Sequence, residues 1–465
     1  MLRALRRFLA GSTEDSRAMR PEYEPLSAND EASTHHERDN IKEDVRHEPK
    51  VYLAFWVLGA GVLMSWNALL CTIPLLTTFF PTDSSMKSNL ASYISSSFCF
   101  GNLFFLGMAQ RSVGKTSPSK RIHWSLLLLL LTSFILAFPL LPLILPSLSS
   151  TALLPVIIAT TVILSISTAY LQSGVFALSA LWGSKEILAV MSGQGGIAVL
   201  VSLVQLFLAI IAAGSKNGPV EGDNGETKAS TLAGVGLWAL GSAGTIGCLF
   251  AHRFLMRHSQ YSLITSSSSS TRTSEDQEEK KGLTRKVFKK NLVLMIAVAW
   301  VFVVTLSIFP PVTTTILSTH KPTPRLLQPD VFIPLHFLLF NIGDYCGRTY
   351  LPSIQALFTT SPPRILLLSL SRIIFIPLLF FCNTTLRSTV PIFNSDLVYF
   401  LIILLLGLTN GYIGSVCMIV ASSPELSKRI EEDERDVAGT LASFCLVAGL
   451  AGGSAASFLV TYLIK

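Results

Sequence analysis

Hydrophobic residues in this chain gather into long runs instead of alternating with polar ones, and from about Tyr52 onward many runs reach 18 residues or more. Wound as a helix, a run of that length covers roughly 30 Å of hydrocarbon. Eleven spans are predicted, at 52–76, 90–110, 122–146, 152–180, 186–212, 232–255, 291–317, 331–352, 364–383, 397–421 and 437–463. The expected class is an all-α polytopic membrane protein. Only Trp182, Gly183, Ser184, Lys185 and Glu186 separate spans four and five, and merging those spans would change the topology.

The polar stretches divide the chain. Residues 1–50 are mixed in charge and poor in apolar groups, which predicts a disordered tail. No apolar h-region follows Arg3, Arg6 and Arg7, so no cleavable signal is read there; Leu2, Leu5, Phe8 and Leu9 fit either a short surface helix or a frayed tail. Tyr23-Glu24-Pro25-Leu26 has the form of a tyrosine-based sorting signal for an adaptor protein. Residues 257–290 pass through Ser266 to Ser270, an acidic cluster and a basic one, as a flexible connection would. They divide the chain into six spans (51–256) plus five (291–465), the layout of two helical halves about a central path.

Composition supports this class. Half of the residues are hydrophobic, 14% are charged and the mean hydropathy is +0.53, against about a quarter charged in ordinary soluble domains. Roughly three-quarters of the 36 Lys and Arg lie in the tail and in the connections after spans 2, 4, 6, 8 and 10. That bias predicts a cytosolic N-terminus and a lumenal or extracellular C-terminus. It also accounts for the pI near 9.0 without a nucleic-acid partner, since no basic patch with interleaved aromatics occurs. The seven cysteines sit in or beside spans without CxxC spacing and read as buried free thiols, with no metal set.

Polar residues inside hydrocarbon carry the candidate chemistry. Asp344 and Arg348 are one helical turn apart and can pair, either as a structural ion pair or as a pair that contacts ligand or gates. Pairing favours the charged carboxylate and argues against Asp344 as a proton carrier. Trp66 lies mid-span, where it either stacks on a flat ligand or packs in the core. Gln172, deep in span 4, suits either the edge of a heterocycle or an interhelical hydrogen bond. Gly193, Gly195 and Gly196 allow close helix approach or ligand contact, and Phe309-Pro310-Pro311 permits a bend that could gate. Arg372 is a second membrane-depth cation, expected to bind carbonyls or carboxylates near a cytosolic gate. Asn383-Thr384-Thr385 fits a glycosylation acceptor.

Six segments in order, GAGVLMSWN (Gly59 to Asn67), MSGQG (Met191 to Gly195), IFP (Ile308 to Pro310), FNIGDYCGR (Phe340 to Arg348), SRIIFIPLLFFCN (Ser371 to Asn383) and TNGYIGSVCM (Thr409 to Met418), resemble the equilibrative nucleoside transporter family. The resemblance implies a major-facilitator-like fold and facilitated movement of nucleosides, sometimes nucleobases, without ATP or a cofactor. By motif it makes Trp66 the aromatic on the ligand, Gln172 the glutamine facing the base, and Phe309 the span-7 aromatic. It also makes Asn341, Asp344 and Arg348 the polar face that reaches the ribose. Tyr345 where many members have Trp, Ser65 where many have Pro, and the order Ser173-Gly174 depart from the family and bear on substrate preference. A vacuolar or lysosomal membrane is expected ahead of the plasma membrane.

Two rival functions share parts of this pattern. Proton-coupled nucleoside transport would use the same fold with Asp344 titrating. An intramembrane aspartic protease would need two carboxylates sharing a proton, and no second one lies well inside a span. The chain is therefore read as a transporter and not an enzyme.

Overall fold

The computed structural model describes residues 48–80, 85–111, 116–215, 223–266, 276–387 and 390–464. The tail up to His47, with the Leu2–Leu9 segment and Tyr23–Leu26, lies outside these residues. Helices dominate. The first six long ones are α1 (Pro49–Thr78), α2 (Ser85–Arg111), α3 (Pro118–Ile135), α4 (Ser150–Trp182), α5 (Ser184–Ser215) and α6 (Asp223–Arg257). Then follow α7 (Leu292–Ile308), α8 (Pro329–Thr349), α9 (Pro362–Ser371, continued through a 3-10 turn into Phe375–Phe380), α10 (Asp396–Ser422) and α11 (Arg435–Ile464).

Among the described residues, nine helices are long and apolar enough to cross a membrane. The expected spans 90–110 and 331–352 fall on α2 and α8, which are not among the nine. The reason is compositional: α2 is rich in Ser, and α8 carries Asp330, Asp344 and Arg348. Length and apolarity thus support nine crossings, and the other two rest on the order of the spans.

The outer surface is what lipid requires. Phe104, Trp124, Leu143, Phe250 and Leu397 are between 64% and 77% exposed, an apolar mantle that water would not tolerate. Hydroxyls turn inward and satisfy themselves locally, as Thr161 Oγ1 does on the Ile157 carbonyl at 2.8 Å. All seven cysteines are free, five of them buried and Cys71 and Cys346 half-buried.

Local chemistry sets the breaks. Gly183 separates α4 from α5 with φ 147° and ψ −175°, a conformation that is nearly restricted to glycine. Its N–H caps Ser179 O at 3.0 Å while its carbonyl accepts from Ile187 N at 3.2 Å. The chain therefore closes one helix and opens the next in a single residue. Span seven, expected to reach 317, stops as a helix at Ile308 because Phe309 turns extended (φ −111°, ψ 122°) before two prolines that lack a donor. Directly after α3 the prolines Pro139 and Pro142 sit in a wide π segment, Leu136–Ile144.

The connection after α6 carries two helices, Tyr261–Ser266 and Asp276–Lys290, around residues 267–275 that are outside the description. Its basic end is anchored: Lys286 lies 3.2 Å and Lys290 2.8 Å from Glu434, and Lys290 also meets Glu431 at 2.8 Å. Burial opposes the Lys290 ammonium, but its hydrogen bonds to Glu431 and Glu434 outweigh it and hold the group above its ordinary range. The hydrogen bond from Lys290 in turn holds Glu431 below the usual carboxylate range.

Close helix pairs use glycine. Gly343 and Gly347 of α8 face Gly407 and Gly411 of α10, and a Cβ on any of the four would overlap a backbone carbonyl of the other helix. Gly449 and Gly453 of α11 approach α7 in the same way, and Gly59 and Gly193 bring α1 against α5. Replacing Gly183 by Ala is expected to destabilise the protein by about 1–3 kcal/mol, the cost of a forbidden backbone conformation. A lowered melting temperature of the purified protein measures this, and an unchanged one would show that α4 and α5 do not depend on that backbone geometry.

Candidate functional site

The α8–α10 contact decides where the intramembrane charges sit. With no side chains between the two backbones, Asn410 of α10 reaches Asp344 of α8, donating from Nδ2 to Oδ1 at 2.6 Å. The other carboxylate oxygen, Oδ2, accepts from Arg348 Nε at 2.6 Å, one turn along α8. Arg348 continues to α5, where Nη1 donates to Gln194 Oε1 at 3.2 Å and lies 3.9 Å from Met191 Sδ. Asp344 is 4% exposed and Arg348 5%, so neither charge is left to water in this conformation. Such burial is tolerated only with partners of this kind.

Arg372 lies behind the pair. It sits in the 3-10 turn that breaks α9 and is 1% exposed. Nη1 donates to Val301 O (2.8 Å) and Asn410 Oδ1 (3.2 Å), Nη2 to Thr305 Oγ1 (2.9 Å) and Leu406 O (3.1 Å), and Nε to Thr409 Oγ1 (3.3 Å). All five guanidinium N–H groups are used, on α7 and α10. Thr305 Oγ1 also lies 2.7 Å from Asn410 Oδ1. Arg372, Asn410, Asp344, Arg348 and Gln194 thus form one chain of hydrogen bonds through four helices, with two guanidiniums against one carboxylate.

The seam between α5 and α8 is polar at three levels. Ser192 Oγ meets Thr349 Oγ1 at 2.5 Å, Gln194 meets Arg348, and Asn341 Nδ2 donates to Ser202 Oγ at 2.6 Å. Gly195 permits the approach, since a Cβ there would stand 3.1 Å from Tyr345 Cα and 3.2 Å from Arg348 Cδ. Gly193 and Gly196 instead face Trp56 on α1.

The remaining predicted residues occupy other positions. Trp66 packs on Phe98 of α2, ring centroids 4.7 Å apart and tilted by 37°. Its neighbour Ser65 pairs with Thr168 of α4 at 2.9 Å, and one turn further Gln172 Nε2 donates to Ser443 Oγ of α11 at 2.9 Å. Phe309 stacks on Phe340, one turn before Asp344, at 4.0 Å and 17°. Pro310 offers its carbonyl to the Thr313 and Thr314 hydroxyls at 3.2 and 3.1 Å. Asn383 donates both amide hydrogens, to Leu317 O at 3.0 Å and Ser318 O at 3.1 Å, which engages the nitrogen a glycan would be joined to. So Asn341, Asp344, Arg348, Gly195 and Arg372 gather in or beside one network, while Ser65–Thr168 and Gln172–Ser443 form a second polar line along α4 and Trp66 packs on α2. Sequence reasoning did not single out Gln194, Asn410 or Thr305. The signals were present, a mid-span amide in each of the MSGQG and TNGYIGSVCM segments.

A family model described as a nucleoside transporter matches residues 250–462. Human equilibrative nucleoside transporter 2 is 35% identical over 41% of this chain, which spans only 40% of that protein. Rat equilibrative nucleoside transporter 1 is 25% identical over 90% of this chain and 99% of its own length. The nucleoside transporter FUN26 of Saccharomyces cerevisiae is 27% identical over 89% and 84%. Among solved structures, the outward conformation of the major facilitator superfamily transporter FucP superposes with a TM-score of 0.56 at 11% identity, covering 90% of this chain and 99% of that one. A D-xylose-proton symporter also gives 0.56, at 14% identity and 88% of both chains. These two establish the fold. The chain is thus a multi-pass helical membrane protein of major-facilitator-like fold, whose residues 250–462 match the nucleoside transporter model and which is similar over most of its length to equilibrative nucleoside transporters.

Proposed function

We propose that this protein moves nucleosides across a membrane, down their gradient, by alternating access. The observation that carries the reading is the charged pair Asp344–Arg348, buried in a seam whose α5 side offers two hydroxyls, one amide and a thioether. The relatives named above are transporters of this substrate class. A ribose presents vicinal hydroxyls that can donate to a carboxylate and accept from a guanidinium, so it can replace Gln194 as the partner of Arg348. Trp66 and Gln172, one stacking and one hydrogen-bonding, are the candidates for the base.

For the sugar to reach the pair, α5 must part from α8. Ser192–Thr349, Gln194–Arg348 and Asn341–Ser202 are then exchanged for contacts with cargo. The six helices before residue 257 and the five after 291 act as the two halves, with the N-terminus in the cytosol. Arg372 supports the site from behind, and the Phe309-Pro310 break, one turn beyond Thr305, is the candidate gate. The passive mode is preferred to proton coupling, because both Asp344 oxygens are already engaged by donors, Oδ2 by Arg348 Nε and Oδ1 by Asn410 Nδ2. Nucleobases are possible additional cargo, and the departures at Ser65, Tyr345 and Ser173-Gly174 bear on that choice.

Asp344→Ala removes two charge-assisted hydrogen-bond acceptors, each worth about 1.5–3 kcal/mol. Uridine uptake into proteoliposomes is expected to fall at least about tenfold while the protein remains folded, and wild-type uptake by this variant would overturn the assignment. An imposed pH gradient is expected to produce no concentrative uptake by the wild-type protein; accumulation above equilibrium would favour the coupled alternative. The vacuolar or lysosomal location rests on Tyr23–Leu26 and the fungal-type resemblance. A fluorescent fusion is expected there, and Tyr23→Ala is expected to shift it to the plasma membrane; an unmoved variant would remove the adaptor from the account.

A further inference from the structure

Asp344 is held from two sides by groups with different options. Arg348 sits on the seam with α5 and can exchange Gln194 for cargo. Asn410 faces away from that seam, toward α7 and α9, and its Oδ1 is already engaged by Thr305 and Arg372 at 2.7 and 3.2 Å. These contacts settle the orientation of the Asn410 amide, because its oxygen faces two donors and its nitrogen faces the carboxylate. The glycine contact of α8 with α10 fixes the distance across which the amide acts.

We infer that Asn410 is the positioning residue of the site, fixing which Asp344 oxygen points toward arriving sugar and linking that carboxylate to the fully satisfied Arg372. The inference rests on the proposed reading of Asp344 as a ribose contact. Asn410 and Arg372 act through Asp344 and do not touch cargo themselves. The role needs an amide specifically: a donor for the carboxylate and an acceptor for the guanidinium on one rigid group. An Asp of the same size satisfies Arg372 but sets two carboxylates against each other, and such pairs hold a shared proton. The charged groups around that pair are Arg348 on α8 and Arg372 on α9, while α5, α7 and α10 contribute the neutral Gln194, Thr305 and Thr409.

The test compares uridine with 2′-deoxyuridine uptake in proteoliposomes of full-length protein carrying Asn410→Ala or Asn410→Asp. For Asn410→Ala the preference for the ribose form is expected to collapse toward that of Asp344→Ala. A structural role alone would lower both substrates by the same factor, and that outcome overturns the inference. For Asn410→Asp, uptake is expected to be lowest at pH 8 and to recover several-fold as pH falls to 5.5 and the shared proton binds; a pH profile parallel to wild type overturns it. The melting temperature of purified Asn410→Asp supplies a readout that needs no transport, and it is expected to rise on acidification relative to wild type. If wild type carries no uridine yet this rise occurs, the amide relay stands and the transport reading falls. If wild type transports and the rise is absent, the relay falls and the transport reading stands.

Discussion

Charge without water is the constraint on which this structure depends. Hydrocarbon solvates neither a carboxylate nor a guanidinium, so Asp344, Arg348 and Arg372 persist at exposures of 1% to 5% only because neighbouring helices supply polar partners. Those helices must come close, which explains why glycine lines the contact of α8 with α10. Threonine and asparagine rather than larger residues face Arg372 for the same reason, since five donors need short acceptors converging from two helices.

The network also divides labour between its ends. Toward α9, every donor of Arg372 is occupied, two of them by backbone carbonyls fixed in their helices. Toward α5, the partners of Arg348 are one amide oxygen and a thioether, both exchangeable. A fixed end and an exchangeable end on one hydrogen-bonded chain is what a binding site needs if it is to open and close without losing its shape.

Much of this was legible in the sequence. Long apolar runs mark most of the helices, and the spacing of Asp344 and Arg348 alone predicts that they meet. The two-proline break after Phe309 was visible as well. The exceptions have physical causes. Gly183 looks like any glycine until its backbone angles show that α4 and α5 cannot merge. Asn410 was illegible because an amide in a membrane helix satisfies many neighbours equally well, and only the register of α10 against α8 selects Asp344. That register was itself encoded, in the four-residue spacing of Gly343 with Gly347 and of Gly407 with Gly411. Reading it requires pairing two helices that are sixty residues apart, which periodicity within one helix does not reveal. Trp66 and Gln172, identified by motif, lie on α1 and α4, and their relation to the charged network depends on tertiary geometry that no local pattern carries.

The glycine contact has a mechanical consequence. Two helices held at backbone distance have no interposed side chains to re-pack, so α8 and α10 behave as a single stiff beam, and a shear between them would drive carbonyl into α-carbon. The carboxylate therefore cannot be presented by turning α8 on its own axis, because it travels with the beam. The compliance of the molecule lies on the other flank, where α5 meets α8 through a hydroxyl pair, two amide hydrogen bonds and the Met191 thioether, side chain against side chain. Stiffness on one side and softness on the other give the bundle a preferred line along which to part, and that line passes through the charged pair.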